Sequence, residues 1–389
     1  MKKPRPLTVK GPVKLIFVSG FLGSGKTTAL SVLARQLKKR GLRIGIITND
    51  QSGNLADTVI LGQMLKEMDV PIEEVVDGCF CCKFDKLMDQ IDKILINDLD
   101  ILLGEPVGSC TDFVASVARP MMVHYGDHFR FAPISAIVDP GRMTELLLKE
   151  TASTFPEEVA YLFRKQLEEA ELIVLNKIDL FTEIEIARLT AFLYKEFPDK
   201  QIIAVSAKYD INIEKWLAVL LSDRSGARSV LRQIDYDRYA RAEAVLGWLN
   251  AAVKISSAEP IDSERLLTRI TMTLRNEFRV KNAGIGHLKC SLTGNGKSMW
   301  VNLTHLSAEP ILSAEKIGHP TVCTLLVNAR VKIEPEALEI ITRRSLHNLA
   351  ENLKIKLDIQ ELRCFSPSYP APPYRMRNPG GEKNEVDDQ

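Results

Sequence analysis

No stretch of this 389-residue chain approaches the ~20 consecutive apolar residues that a bilayer-spanning helix requires, so no membrane association is expected. Neither sign of charge is in excess: 51 lysines and arginines stand against 50 aspartates and glutamates, a net charge of +1. That balance gives no global attraction to nucleic acid or to an anionic membrane surface. Cysteine is scarce, with seven residues, and too unevenly spread for a disulfide framework. Internal repeats are absent. The basic start, Met1-Lys2-Lys3-Pro4-Arg5-Pro6, precedes an apolar stretch (13–18) that is short for a signal peptide and runs into a glycine loop, which points to the cytoplasm. What remains is ordinary globular composition, 45% hydrophobic and 26% charged, in a chain long enough for two or three domains.

Residues 12–222 alternate short apolar runs with amphipathic stretches, which predicts an α/β fold with a parallel sheet covered by helices on both faces. Strands are expected at 14–19, 43–48, 72–76, 101–103, 134–138, 172–175 and 202–205, and helices at 27–40, 57–68, 156–169 and 183–197. Polar and glycine residues follow each strand, where open α/β sheets bind ligands. The domain is taken as 1–222, with a charged, aperiodic linker at 223–242. From 243 to 366 the order strand, helix, hairpin, strand, helix, strand predicts a smaller α+β split-βαβ (ferredoxin-like) domain with one added strand. The proline-rich tail, 367–389, is expected to be disordered.

Residues 20–28 (Gly20, Phe21, Leu22, Gly23, Ser24, Gly25, Lys26, Thr27, Thr28) match the P-loop pattern between an apolar strand and a helix. Its glycines let backbone N–H groups converge on phosphate oxygens, and the helix adds its positive end. Lys26 is expected at the β- and γ-phosphates and the Thr27 hydroxyl on Mg²⁺. Asn176-Lys177-Ile178-Asp179 supplies a base contact, because the Asp179 carboxylate can accept from guanine N1–H and the exocyclic amine, a donor pair adenine lacks. Ser206-Ala207-Lys208 follows the next strand and completes a guanine pocket. Glu105 and Gly108 suit a magnesium-side carboxylate and a backbone contact to the γ-phosphate. Asp50 either lies near the metal or attacking water or caps a turn. No residue is assigned to orient that water, so hydrolysis of GTP is expected to be slow without a partner or bound metal.

Three cysteines crowd into Gly78-Cys79-Phe80-Cys81-Cys82-Lys83, between the phosphate loop and Glu105. Thiolates select zinc, Cu(I) and similar soft ions, and three of them leave one place open on a four-coordinate ion. Cys110, shortly after Glu105, is a candidate fourth ligand. The alternative is a buried or redox-active cysteine cluster.

Taken together, the 20–28 loop, the 78–83 motif, Glu105 with Gly108, and 176–179 resemble the CobW-type metallochaperone GTPases, which are related to the urease and hydrogenase nickel-insertion GTPases. The resemblance is close over 12–222 and extends beyond only as a pattern of elements. It implies GTP and Mg²⁺ as cofactors, and Cys79, Cys81 and Cys82 as ligands of a transition metal, zinc or cobalt. It also implies release of that ion to a client metalloenzyme or cofactor-assembly protein on hydrolysis. A second copy of the chain is another expected partner. Two departures stand out: Asn49-Asp50-Gln51 replaces the Asn-Glu pair of many members, and the six histidines are scattered rather than gathered in a histidine-rich loop. Two other readings remain open, a metal-responsive sensor with incidental GTP turnover and a P-loop phosphotransferase with a redox cysteine cluster.

Overall fold

The structure, a computed structural model, describes residues 11–49, 56–150, 153–224, 226–228, 230–231, 233–310, 312–313 and 315–376. The first sheet is built from β1 (Val13–Gly20), β2 (Ile44–Asn49), β3 (Ile72–Val75), β4 (Ile101–Glu105), β5 (Phe129–Phe131), β6 (Ser135–Val138), β7 (Leu172–Leu175) and β8 (Gln201–Ala204). Its order is β3-β2-β4-β1-β6-β7-β8, with β5 paired to the start of β1, and every pairing is parallel. All seven expected strands are present. The chain moves to one side of β1 through β2–β4 and to the other through β6–β8, so β1 sits where the strand order reverses. Ligands bind at such a point because flanking connections diverge and leave a crevice. β1, β4, β6 and β7 are buried along nearly their whole length, which explains why they read as continuous apolar runs.

The second sheet is antiparallel, in the order β11-β10-β12-β9-β13, from β9 (Gly247–Ser256), β10 (Ile285–Gly294), β11 (Lys297–Leu303), β12 (Val322–Val331) and β13 (Lys356–Phe365). Without β11 this is the split-βαβ order, and β11 is the added edge strand of the hairpin. Helices Ser263–Val280 and Pro335–Leu353 cover one face, where Leu288, Cys290, Val327 and Leu349 share a core. The other face turns toward the first sheet: Trp248 joins a core formed on that sheet. Polar residues fill the rest of that face as a buried network, His287 to Asn328 at 2.5 Å and Asn328 to Asn250 at 2.5 Å. Helix Ala56–Met64 packs on β10, β11 and β12.

Two expectations need correction. The segment read as an aperiodic linker contains a helix, Tyr236–Ala244, with Asp235 accepting from Arg238 N at its start and Tyr239, Ala242 and Glu243 buried. Residues 367–376 of the tail are ordered against the first half. The Tyr374 ring meets Phe84 at 5.0 Å, Arg375 Nε donates to buried Asp112 at 2.5 Å, and Met376 N donates to Ala115 O. A buried carboxylate needs a cationic partner, and Arg375 supplies it to Asp112. The remaining tail expectation, and Asp50 with Gln51, lie outside the described residues.

Candidate functional site

The phosphate loop turns sharply between β1 and helix Lys26–Lys39. Gly25 holds φ +97° at the helix start, and a Cβ there would meet Asn176 Nδ2 at 2.5 Å. Lys26 folds back over the loop and donates to Gly20 O at 2.9 Å and Phe21 O at 3.3 Å. Incoming phosphate oxygens would replace those carbonyls. Ser24 Oγ is buried without a hydrogen-bond partner among the described residues, as expected of a donor aimed into an anion cradle. Thr27 Oγ1 donates to Glu105 Oε1 at 3.2 Å, so the hydroxyl and carboxylate expected to hold Mg²⁺ already face each other.

The three base-side segments are tied together. Asn176 Nδ2 donates to Ser24 O at 2.9 Å while its Oδ1 accepts from Ala207 N at 3.0 Å. Asp179 Oδ1 accepts from Ser206 Oγ at 2.5 Å. Lys177 Nζ donates to Gly23 O at 2.8 Å and pairs with Asp139, a residue the sequence reading left without a role. Burial pushes the Asp139 carboxyl up, yet the adjacent Lys177 ammonium outweighs that and holds it at about 2. Lys208 is not drawn into this network; its ammonium lies over the Tyr209 ring.

Opposite the base side, the cysteine motif forms a compact knot. Asn49, at the end of β2, fixes its shape: Nδ2 donates to Val75 O at 3.0 Å and Gly78 O at 2.8 Å, and Oδ1 accepts from Phe80 N at 2.8 Å. Among the described residues, the Sγ atoms of Cys79, Cys81 and Cys82 lie within 4.8 Å of one another. Cys81 is central, 2.7 Å from Cys79, 3.8 Å from Cys82 and 4.0 Å from Cys110. Helix Phe84–Leu95 begins just beyond, and its positive end favours thiolate charge. Hydrogen bonds from Cys110, Cys81 and Cys82 hold the Cys79 thiol well below its ordinary value. The Cys82 thiol, bonded to Cys79, is pushed up to about 12. The hydrogen bonding thus favours the charged form at Cys79 over its neighbours, and soft donors of this kind fit a soft cation.

The loop from Glu105 to Asp112 joins the two centres. Gln166, on helix Glu157–Glu169, donates from Nε2 to both Gly108 O (2.9 Å) and Cys110 O (3.1 Å). Ser109 donates to buried Glu243, whose carboxyl is pushed to about 8 by burial and by nearby Cys79. Asp112 accepts from Tyr236 Oη as well as from Arg375. The tail then closes the outer side of the knot, where the Ala371 backbone N–H reaches Cys82. Gln166 could not be found by motif, since it is a single polar residue whose partners are distant in sequence, and the Asn49 motif did not reveal its hold on the cysteine loop.

A parallel sheet with its strand-order reversal at a phosphate loop, flanked by a base-side Asn-Lys-x-Asp, defines a P-loop nucleotide-binding protein. Over residues 14–204 this chain matches the family described as CobW/HypB/UreG, nucleotide-binding domain. It is 27% identical over 220 residues to the protein named zinc chaperone CobW of Pseudomonas aeruginosa, covering 50% of this chain and 56% of that one. It is also 27% identical over 222 residues to zinc-regulated GTPase metalloprotein activator 1 of Dictyostelium discoideum, covering 50% and 45%. The chain therefore spans about half the length of the curated relatives it matches. Among solved structures, Zn(II)-bound YjiA GTPase from E. coli is similar at 15% identity and a TM-score of 0.36, covering 87% of this chain and 99% of that one.

Proposed function

We propose that this chain is a GTP-hydrolysing metallochaperone. It takes a soft transition metal ion, zinc or cobalt, onto Cys79, Cys81 and Cys82. On hydrolysis it passes the ion, or a cofactor containing it, to a client protein. The observation that carries this reading is the Glu105–Asp112 stretch, which runs from the Thr27 contact past Gly108 to Cys110 against the cysteine knot. Mg²⁺ would be held by Thr27 and Glu105 and would neutralise charge developing on the phosphates. The γ-phosphate would draw on the Gly108 backbone, and Gln166 would carry that displacement to the sulfur side. Asn49 would transmit the state of β2 to Gly78 and Phe80. Hydrolysis would relax both connections and loosen the ion. The names of the curated relatives, a zinc chaperone and a zinc-regulated GTPase, support the same reading.

The test is a titration of reduced protein with Zn²⁺ or Co²⁺ in the presence of a non-hydrolysable GTP analogue, of GDP and of neither. Affinity should be at least about tenfold higher with the analogue, a coupling of about 1.4 kcal/mol. Equal affinity in all three conditions would instead support a sensor with incidental turnover.

A pH dependence follows from the same thiols. Cys81 and Cys82 both lie above the ordinary thiol value, so they are protonated at neutral pH and must release those protons to bind metal. Affinity is therefore expected to rise with pH from 6 to 8, by about tenfold or more per pH unit, with proton release into weakly buffered solution as the direct readout. A pH-independent affinity would show that these thiols do not bind the ion.

A further inference from the structure

We propose that Cys110 is the fourth ligand of the metal site, closing a tetrathiolate cage, and that it is the ligand the nucleotide moves. This rests on the reading of Cys79, Cys81 and Cys82 as metal ligands and adds a residue from a separate segment, 28 positions beyond Cys82 in the chain. Its sulfur is buried and faces other sulfurs, at 4.0 Å from Cys81 and hydrogen-bonded to Cys79. Cys290 offers the contrast: it is equally buried but sits in the apolar core of the second sheet.

Two of the sulfur–sulfur distances suit a small tetrahedral ion. A metal–sulfur bond of about 2.3 Å sets the sulfur–sulfur edge of a tetrahedron at roughly 3.8 Å. Cys81–Cys82 at 3.8 Å and Cys81–Cys110 at 4.0 Å are already such edges. Cys79–Cys81, at 2.7 Å, must open by about 1 Å as the ion enters. Glu243 is the competing donor on this side, but Ser109 already donates to its carboxyl.

Position in the chain gives Cys110 its second role. Cys79, Cys81 and Cys82 are held as one unit by Asn49 and by the helix that follows them. Cys110 instead belongs to the phosphate-side loop, two residues beyond Gly108, with both carbonyls clamped by one Gln166 amide. A shift of Gly108 toward a γ-phosphate therefore moves Cys110 relative to the other three sulfurs. Four thiolates would hold the ion in the GTP state. Departure of Cys110 after hydrolysis leaves three thiolates and one open position, where a ligand of the client can enter.

X-ray absorption of the full-length protein loaded with Co²⁺ and a GTP analogue counts the sulfur neighbours without any substitution. Four are expected in wild type and in Cys364→Ser, and three in Cys110→Ser. Cys110→Ser should also weaken cobalt binding by about tenfold or more in the GTP-analogue state and bring the GTP-to-GDP affinity ratio toward one. Three sulfurs in wild type, with Cys110→Ser unchanged, would remove Cys110 from the site and leave the three-cysteine reading standing. Four sulfurs with an unaltered ratio in Cys110→Ser would refute the moving-ligand role. No specific cobalt uptake by wild type would defeat the underlying metal-site reading itself.

Discussion

Replacing Cys81 with serine is expected to lower zinc affinity by about a hundredfold or more while leaving nucleotide binding unchanged. Cys81 touches the sulfurs of Cys79, Cys82 and Cys110, so its loss removes a donor that meets every other sulfur of the knot. A hydroxyl is a hard, neutral donor at neutral pH and gives a soft ion little in exchange for a thiolate. The substitution removes almost no volume from a residue that is 2% exposed, so the surrounding packing should persist. Competition against a chromophoric chelator measures the affinity, and binding of a fluorescent GTP analogue serves as the control. Zinc affinity within threefold of wild type would show that the cluster is a redox or packing feature instead.

Asp179→Asn is expected to weaken GTP binding by about a hundredfold or more and to make xanthosine triphosphate the preferred ligand. One carboxylate oxygen is engaged by Ser206 at 2.5 Å, which fixes the orientation of the group. In the proposed GTP complex the carboxylate would accept from guanine, with charge-assisted hydrogen bonds worth about 1.5–3 kcal/mol each. An asparagine amide turns an N–H toward the same donors and repels them, whereas the xanthine C2 carbonyl can accept it. Isothermal titration with GTP, ATP and xanthosine triphosphate reads the exchange. Equal affinity of the wild type for ATP and GTP would refute the base assignment at the outset.

The parts of the architecture visible in the sequence are those encoded locally. Most strands of the first sheet are short apolar runs followed by polar or glycine residues, and the phosphate loop carries its geometry in the spacing of Gly20, Gly25, Lys26 and Thr27. The split-βαβ order of the second sheet could also be read, because its helices bury a mainly apolar stripe. The helix at Tyr236–Ala244 escaped because most of its residues are charged or polar and only Tyr239, Ala242 and Glu243 are buried. Strand β5 is three residues long, below the length at which alternation can be recognised. At the site, the cysteine motif announces itself by clustering, but Gln166, Asn49 and Asp139 acquire their roles from partners at the far end of other elements. Polar side chains of that kind leave no periodic trace. The docking of residues 367–376 was hidden for a similar reason, since a proline-rich, charged segment has the composition of a disordered one until a buried Asp112 is found for Arg375.

That docked segment has a practical consequence. The backbone at Ala371 reaches Cys82 and the Tyr374 ring lies on Phe84, so residues 371–374 cover the thiols from outside. Trimming the protein back to Phe365 would strip away this cover and admit small reductants and chelators to Cys82.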